Sequence, residues 1–170
     1  NLRLINYIYL FIFLTSSSFA VADTVNLACN HFPPLKIENP EGDRVGFDIE
    51  ILNSVFSISG HKVKTTFFPW KRALNAAKSG EFDGLCSCSY TQDRENYFFY
   101  SDELGKNSIG VFMTKRHQVS KITDLKNLRI GVVRGYSLED ELKKHGLDFE
   151  TSFSEESLLK MLELDRIDVL

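Results

Sequence analysis

"PWKRALNAAKSGEFDGLCSC", Pro69 to Cys88, is the stretch whose reading decides the fold. It opens on a proline and reaches Gly80 after a run of helix formers, the order in which a short helix starts and stops. "EFDGLCSC" then reads as a buried strand. Just upstream, "HKVKTTFF", His61 to Phe68, is rich in β-branched and aromatic residues and reads as another strand. Further back, "TVNLACN" reads as a first strand, "HFPPLKIENPEGDRVG" as a loop broken by Pro33, Pro34, Pro40 and Gly42, and "FDIEILNSVFSISG" as a helix ended by Gly60. Ile51, Leu52, Val55 and Phe56 are the expected apolar face of that helix. Strand, helix, strand, helix, strand in such short alternation predicts an α/β unit with a parallel sheet.

Downstream of Cys88 the order repeats. "SIGVFMTKR" reads as a strand, "KITDLKNL" as a turn-rich connector and "RIGVV" as a strand running through a Gly135 turn into a helix. Ser137-Leu138-Glu139-Asp140 resembles a capping box for that helix, and Gly146 ends it. "SEESLLKMLELDRIDVL" reads as a further helix and the start of another strand. This predicts two α/β lobes with a crossover near Lys106 to Ser108: residues 23–106 and 107–170.

The first 22 residues carry one charge, Arg3, an apolar run from Ile5 to Leu14, a Ser-rich stretch and Ala20-Val21-Ala22. This pattern predicts an export signal cut before Asp23, and the apolar run is short for a membrane span. The net charge of the 170 residues is -3, and loss of Arg3 makes it -4. Basic residues are interspersed with acidic ones, with no stripe to neutralise phosphates, so nucleic acid is not an expected partner. Cys29, Cys86 and Cys88 lie in the exported part, where disulfides persist. Two readings stay open: Cys29 bonded to Cys86 or Cys88 across neighbouring strands, or three small apolar residues in buried strands. Their spacing, with four histidines scattered elsewhere, predicts no metal site and no cofactor.

In open α/β sheets, ligands bind beyond the carboxyl ends of the strands. There the sequence places Phe32, Trp70, Ser87, Ser89 and, after the N-cap-like Thr91, Arg94. In the second half it places Gly135 and Ser137, at a helix start that favours an anion. Singly, each has a plain structural explanation: a solvated charge, core aromatics, a turn glycine, a capping serine.

Taken in order, "FPPL", "GFDIEIL", "PWKRALNAAKSGEFDG", "TQDRENYFFYSDEL" and "DLKNLRIGVVRGYS" resemble the bacterial extracellular solute-binding proteins of family 3, the polar-amino-acid type that serves ABC importers. The resemblance runs from Val25 to Leu170. It implies a two-lobed, type II periplasmic-binding-protein fold with open, mostly parallel sheets, of which this chain lacks the C-terminal part that returns to the first lobe. By the same resemblance the T-x-x-R arginine, Arg94, grips the ligand carboxylate as a planar fork. Ser89 and Ser87 assist it, Phe32 and Trp70 pack on the apolar part of the ligand, and Ser137 with Gly135 completes the carboxylate site. The implied function is that of a monomeric periplasmic receptor, not an enzyme, which captures an amino acid or related carboxylate and presents it to an ABC permease. The alternatives are a sensory module of a membrane receptor or kinase, or an enzyme on the same scaffold, of dehydratase or lytic type.

Overall fold

The computed structural model describes residues 23–170, so the expected export signal lies outside the described residues. The first half forms β1 (Thr24–Cys29), α1 (Phe47–Ile58), β2 (Lys62–Phe67), α2 (Trp70–Lys78) and β3 (Gly84–Leu85). The strands pair in the order β2-β1-β3, all parallel, with Leu27 beside Thr65 on one side and Gly84 on the other. The second half forms β4 (Ile130–Val133), α3 (Leu138–Lys144), β5 (Phe149–Ser152) and α4 (Glu155–Glu163), with β4 and β5 parallel. Helix crossovers between parallel neighbours make this the α/β arrangement the sequence predicts.

Packing follows side-chain period. In α2, Trp70, Ala73, Leu74 and Ala77 are buried at i, i+3, i+4 and i+7, one helical face laid against β1 and β3. In α1 the buried stripe is Ile49 with Leu52 and Phe56 packed beside it, against Leu27, Cys29 and Cys86. The expected face is therefore half right: Leu52 and Phe56 turn inward, whereas Ile51 and Val55 face solvent. Apolar residues surround this helix, so periodicity cannot choose between two overlapping stripes; contact with β1 decides.

Cys29 and Cys86 form a disulfide with Cα atoms 5.2 Å apart, and Cys88 is free. Cys86 N–H donates to the Ala28 carbonyl, which carries the β1–β3 ladder one residue further and brings Cys86 to Cys29. Cys88 lies beyond that register.

Two expected strands are shortened. Residues 108–116 form only an antiparallel bridge between Met113 and Val169, with Phe112 and Leu170 exchanging backbone hydrogen bonds. Its pairing partner consists of the last residues, Val169 and Leu170, and Val169 also bridges Ile130 in parallel. The third strand is two residues long by its ladder. Asp168 ties this end of the chain to Arg129, accepting from its backbone N–H at 2.8 Å and from Nη2 at 2.7 Å.

Candidate functional site

Residues beyond the carboxyl ends of β1, β2, β3 and β4 come together: Trp70 and Arg94 share the Gly135 carbonyl, and Asn30 lines a cavity with Trp70 and Tyr136. Arg94 is the centre of the meeting. It lies in a single 3-10 turn, Arg94–Asn96, not in a longer helix. The aromatic run Tyr97 to Tyr100 that follows favours extended backbone, and so short a helix would not outweigh its nucleation cost. The Arg94 N–H still reaches back to Thr91, to its carbonyl at 3.0 Å and its hydroxyl at 3.4 Å, as a cap would.

The Arg94 side chain is only 6% exposed. Nη1 donates to the Ser89 carbonyl at 2.7 Å and Nη2 to the Gly135 carbonyl at 3.2 Å, and the guanidinium carbon stands 5.3 Å from the centre of the Trp70 ring. The ion pairs among the described residues join other side chains. Arg94 is thus a buried cation held by two carbonyl dipoles and an indole face, with no carboxylate bound to it. Burial of an ion so weakly compensated is costly, and an anion would relieve the cost.

Trp70 is buried at the start of α2, where Pro69 sets the entry angle. Its Nε1 donates to the Gly135 carbonyl at 2.8 Å, and Tyr136 meets it edge-on at 6.2 Å. One carbonyl of the turn after β4 therefore accepts from two residues of the first half. Gly135 is required there: its φ is +84°, and a Cβ would stand 2.8 Å from Lys71 Cδ and 3.4 Å from Trp70 Cδ1.

Gly135 N–H donates to Glu139 Oε1 at 2.5 Å, and the Ser137 hydroxyl makes no capping bond. The expected capping box is therefore absent. Ser137 has helical dihedrals, where its oxygen cannot reach the N3 amide, and Glu139 bonds the turn instead. Ser137 and Gly135 stand together at the start of α3, and a carboxylate of the chain's own occupies that end.

Ser87 serves a different network. Its Oγ donates to Asp48 Oδ2 at 2.6 Å and accepts from Lys36 Nζ at 2.8 Å. Lys36 and Asp48 are 5% and 8% exposed. Burial lowers the Lys36 pKa, with Asp48 the largest opposing pull, then Cys88 and Glu155. Phe32 is half-buried and pairs with Lys36 as an isolated bridge, its ring centre 5.6 Å from the ammonium. Ser89 is exposed and contributes its carbonyl, which also accepts from Tyr100 at 3.4 Å. Burial, then a hydrogen bond with Cys88, pushes the Tyr100 phenol up to about 12.

A cavity of about 490 Å3 opens beside Trp70, lined by Asn30 and Phe68 from the first half and by Tyr136 and Glu155 from the second. Of the seven predicted residues only Trp70 lines it. The structure gathers Arg94, Trp70, Ser89 and Gly135 at one point and sets Phe32 and Ser87 around Lys36. Sequence reasoning missed Lys36, Asp48, Asn30, Tyr136 and Glu155. The available signals are the place of Asp48 in "GFDIEIL" and of Tyr136 in "DLKNLRIGVVRGYS", with Lys36 directly after "FPPL". Among the described residues no group of His, Cys, Asp and Glu could hold a metal, and no helix is long and apolar enough to cross a membrane.

A parallel α/β fold whose strand ends meet at a buried arginine is the class of the type II periplasmic binding proteins. The chain belongs to the bacterial extracellular solute-binding proteins, family 3, whose pattern residues 25–164 match. It is similar to the probable histidine-binding protein of Neisseria gonorrhoeae, 27% identical over 66% of this chain and 43% of that protein. It is also similar to the histidine-binding periplasmic protein of Salmonella typhimurium, 22% identical over 81% of this chain and 55% of that protein. The chain spans about half the length of these curated relatives. Among solved structures, an ancestral arginine-binding protein bound to glutamine superposes with a TM-score of 0.77 at 23% identity, covering 88% of this chain and 68% of that one.

Proposed function

We propose that this chain is the capturing part of a periplasmic receptor that takes a small solute bearing a carboxylate, an amino acid, and delivers it to the permease of an ABC importer. The observation that carries the reading is Arg94: a guanidinium 6% exposed, held by carbonyls from both halves of the chain and bound to no acid. Membership of the family and the names of the relatives, binding proteins for amino acids, support it.

In this reading residues 1–22 are an export signal, and residues 23–106 and 107–170 are two lobes that close on the ligand. Arg94 turns its fork to the ligand carboxylate, Ser89 orients the guanidinium, and Gly135 with Ser137 presents the second lobe. Trp70 and Phe32 wall the apolar part, while Ser87 acts indirectly by fixing Lys36. A ligand that contacts both lobes favours the closed arrangement by the difference in its affinity for the two states.

The test is a thermal-melting screen and calorimetry of the full-length protein with the common L-amino acids. A cognate ligand at about a hundred times its Kd should stabilise by about 2.7 kcal/mol. Absence of any shift across the set would overturn the proposal.

A further inference from the structure

The cavity beside Trp70 is acidic on one side, and the basic residue in its lining is His31, whose Nδ1 accepts from the Glu38 N–H at 3.0 Å. Glu38, Glu155 and Glu156 line it, together with Asn30 and Tyr136, and neither lysine nor arginine does. None of the three carboxylates joins the ion pairs among the described residues. The neighbouring cavity, of about 530 Å3, has the opposite character, with Lys71, Arg72 and Arg134 against Glu81. The acidity is therefore local.

Two acids in the first turn of α4 are ordinary helix chemistry, since carboxylates complement a helix amino terminus. That terminus is worth only about half a positive charge, so Glu155 and Glu156 overbalance it. Helix chemistry also leaves Asn30 unexplained. Asn30 is 6% exposed, lines the cavity from the end of β1, and its Oδ1 is a buried acceptor without a partner. Buried acceptors are seldom left so, and a donor is what this one lacks.

Glu155 is fixed for the same task. The Tyr136 phenol donates to its Oε1 at 2.5 Å, and burial together with this bond raises the phenol pKa, so the phenol keeps its proton and the carboxylate remains the acceptor. Nearby, Lys36 feels the Glu155 charge without pairing with it, since its ammonium is bonded to Ser87. A hydrogen bond with Ser154 lowers the Glu156 pKa most, and His31, which lines the same cavity, and Lys160 add smaller pulls.

We propose that this cavity is a subsite for a cationic group, with Glu155 and Asn30 as its acceptors, so that the receptor takes a basic amino acid. The inference rests on the proposed function: Arg94 holds the carboxylate on one side of the Trp70 indole, and the positive end of the side chain enters the cavity that the same indole lines.

The experiment compares L-arginine with L-citrulline, its neutral isostere, by calorimetry on the full-length protein. Arginine binds at least about tenfold more tightly, as expected for a charge meeting a partly buried carboxylate. Glu155→Gln keeps an acceptor for Tyr136 and removes the charge, so the ratio of the two affinities falls toward one while the melting temperature of the unliganded protein stays near the wild-type value. Equal affinity of the wild type for arginine and citrulline would overturn the cationic subsite and leave the amino-acid reading standing. An unchanged ratio in Glu155→Gln would also overturn it. If other amino acids bind and arginine does not, the subsite fails alone; if no amino acid binds, the reading beneath it fails as well.

Discussion

Trp70 Nε1 donates a 2.8 Å hydrogen bond to the Gly135 carbonyl, 65 residues further along the chain. It joins the first turn of α2 to the turn between β4 and α3, and so links the two sheets at the point where Arg94 also bonds Gly135. Trp70→Phe keeps a large apolar ring and deletes the donor. A neutral hydrogen bond is worth about 0.5 to 1.5 kcal/mol net, so ligand affinity should fall roughly two- to tenfold through a less stable closed state. Calorimetry with a cognate amino acid checks this; unchanged affinity would show that the bond does not contribute to closure.

Arg94→Ala should abolish measurable binding. Truncating one partner of a buried charge pair costs about 2 to 5 kcal/mol, or roughly 30-fold to several thousand-fold in affinity. Unlike a surface arginine, Arg94 also bonds two carbonyls and stacks on Trp70, so its loss should lower the melting temperature by a few degrees as well. Arg94→Lys retains the charge without the fork and should fall between. An alanine variant that binds with wild-type affinity would leave Arg94 a purely structural cation.

The Cys29–Cys86 bond closes a loop with a sequence separation of 57 residues. Chain-entropy arguments give such a cross-link about 4 kcal/mol, with typical measured values of about 2 to 4. Cys29→Ser should therefore lower unfolding stability by that order, and thiol titration of the denatured, unreduced protein should find a single reactive thiol, Cys88. Three reactive thiols would contradict the pairing.

The sequence makes the sheet legible because α2 buries a stripe of helical period, Trp70, Ala73, Leu74 and Ala77, between short runs rich in β-branched and apolar residues that are too brief for helices. It does not reveal which face of α1 is buried, since Ile49 and Ile51 are equally apolar and only contact with the sheet separates them. Arg94 is legible through its spacing from Thr91. Its partners are not, because the carbonyls of Ser89 and Gly135 belong to the backbone and carry no residue-type signal. Lys36 and Asp48 read as a loop charge and a first-turn acid; their common partner Ser87 is 51 and 39 residues away, a relation that only the tertiary fold creates.

Lys36 supplies the pH-dependent prediction. Burial lowers its pKa from the ordinary 10.5, against the pull of Asp48. A base with a lowered folded pKa binds its proton less readily in the native state than in the unfolded chain. Between the folded value and 10.5 the unfolded chain therefore carries more protons, and unfolding free energy rises with pH across that window. Below the window the buried ammonium is a constant cost that Asp48 and Ser87 offset. Lys36→Met keeps the volume and removes the titration. The stability of the wild type relative to this variant should thus move in favour of the wild type as pH rises from the folded value toward 10.5, then level off. Paired chemical denaturation curves across that range measure the difference. A difference independent of pH would mean that Lys36 titrates alike in both states, and that water reaches its ammonium despite the cover of Phe32 and Ser87.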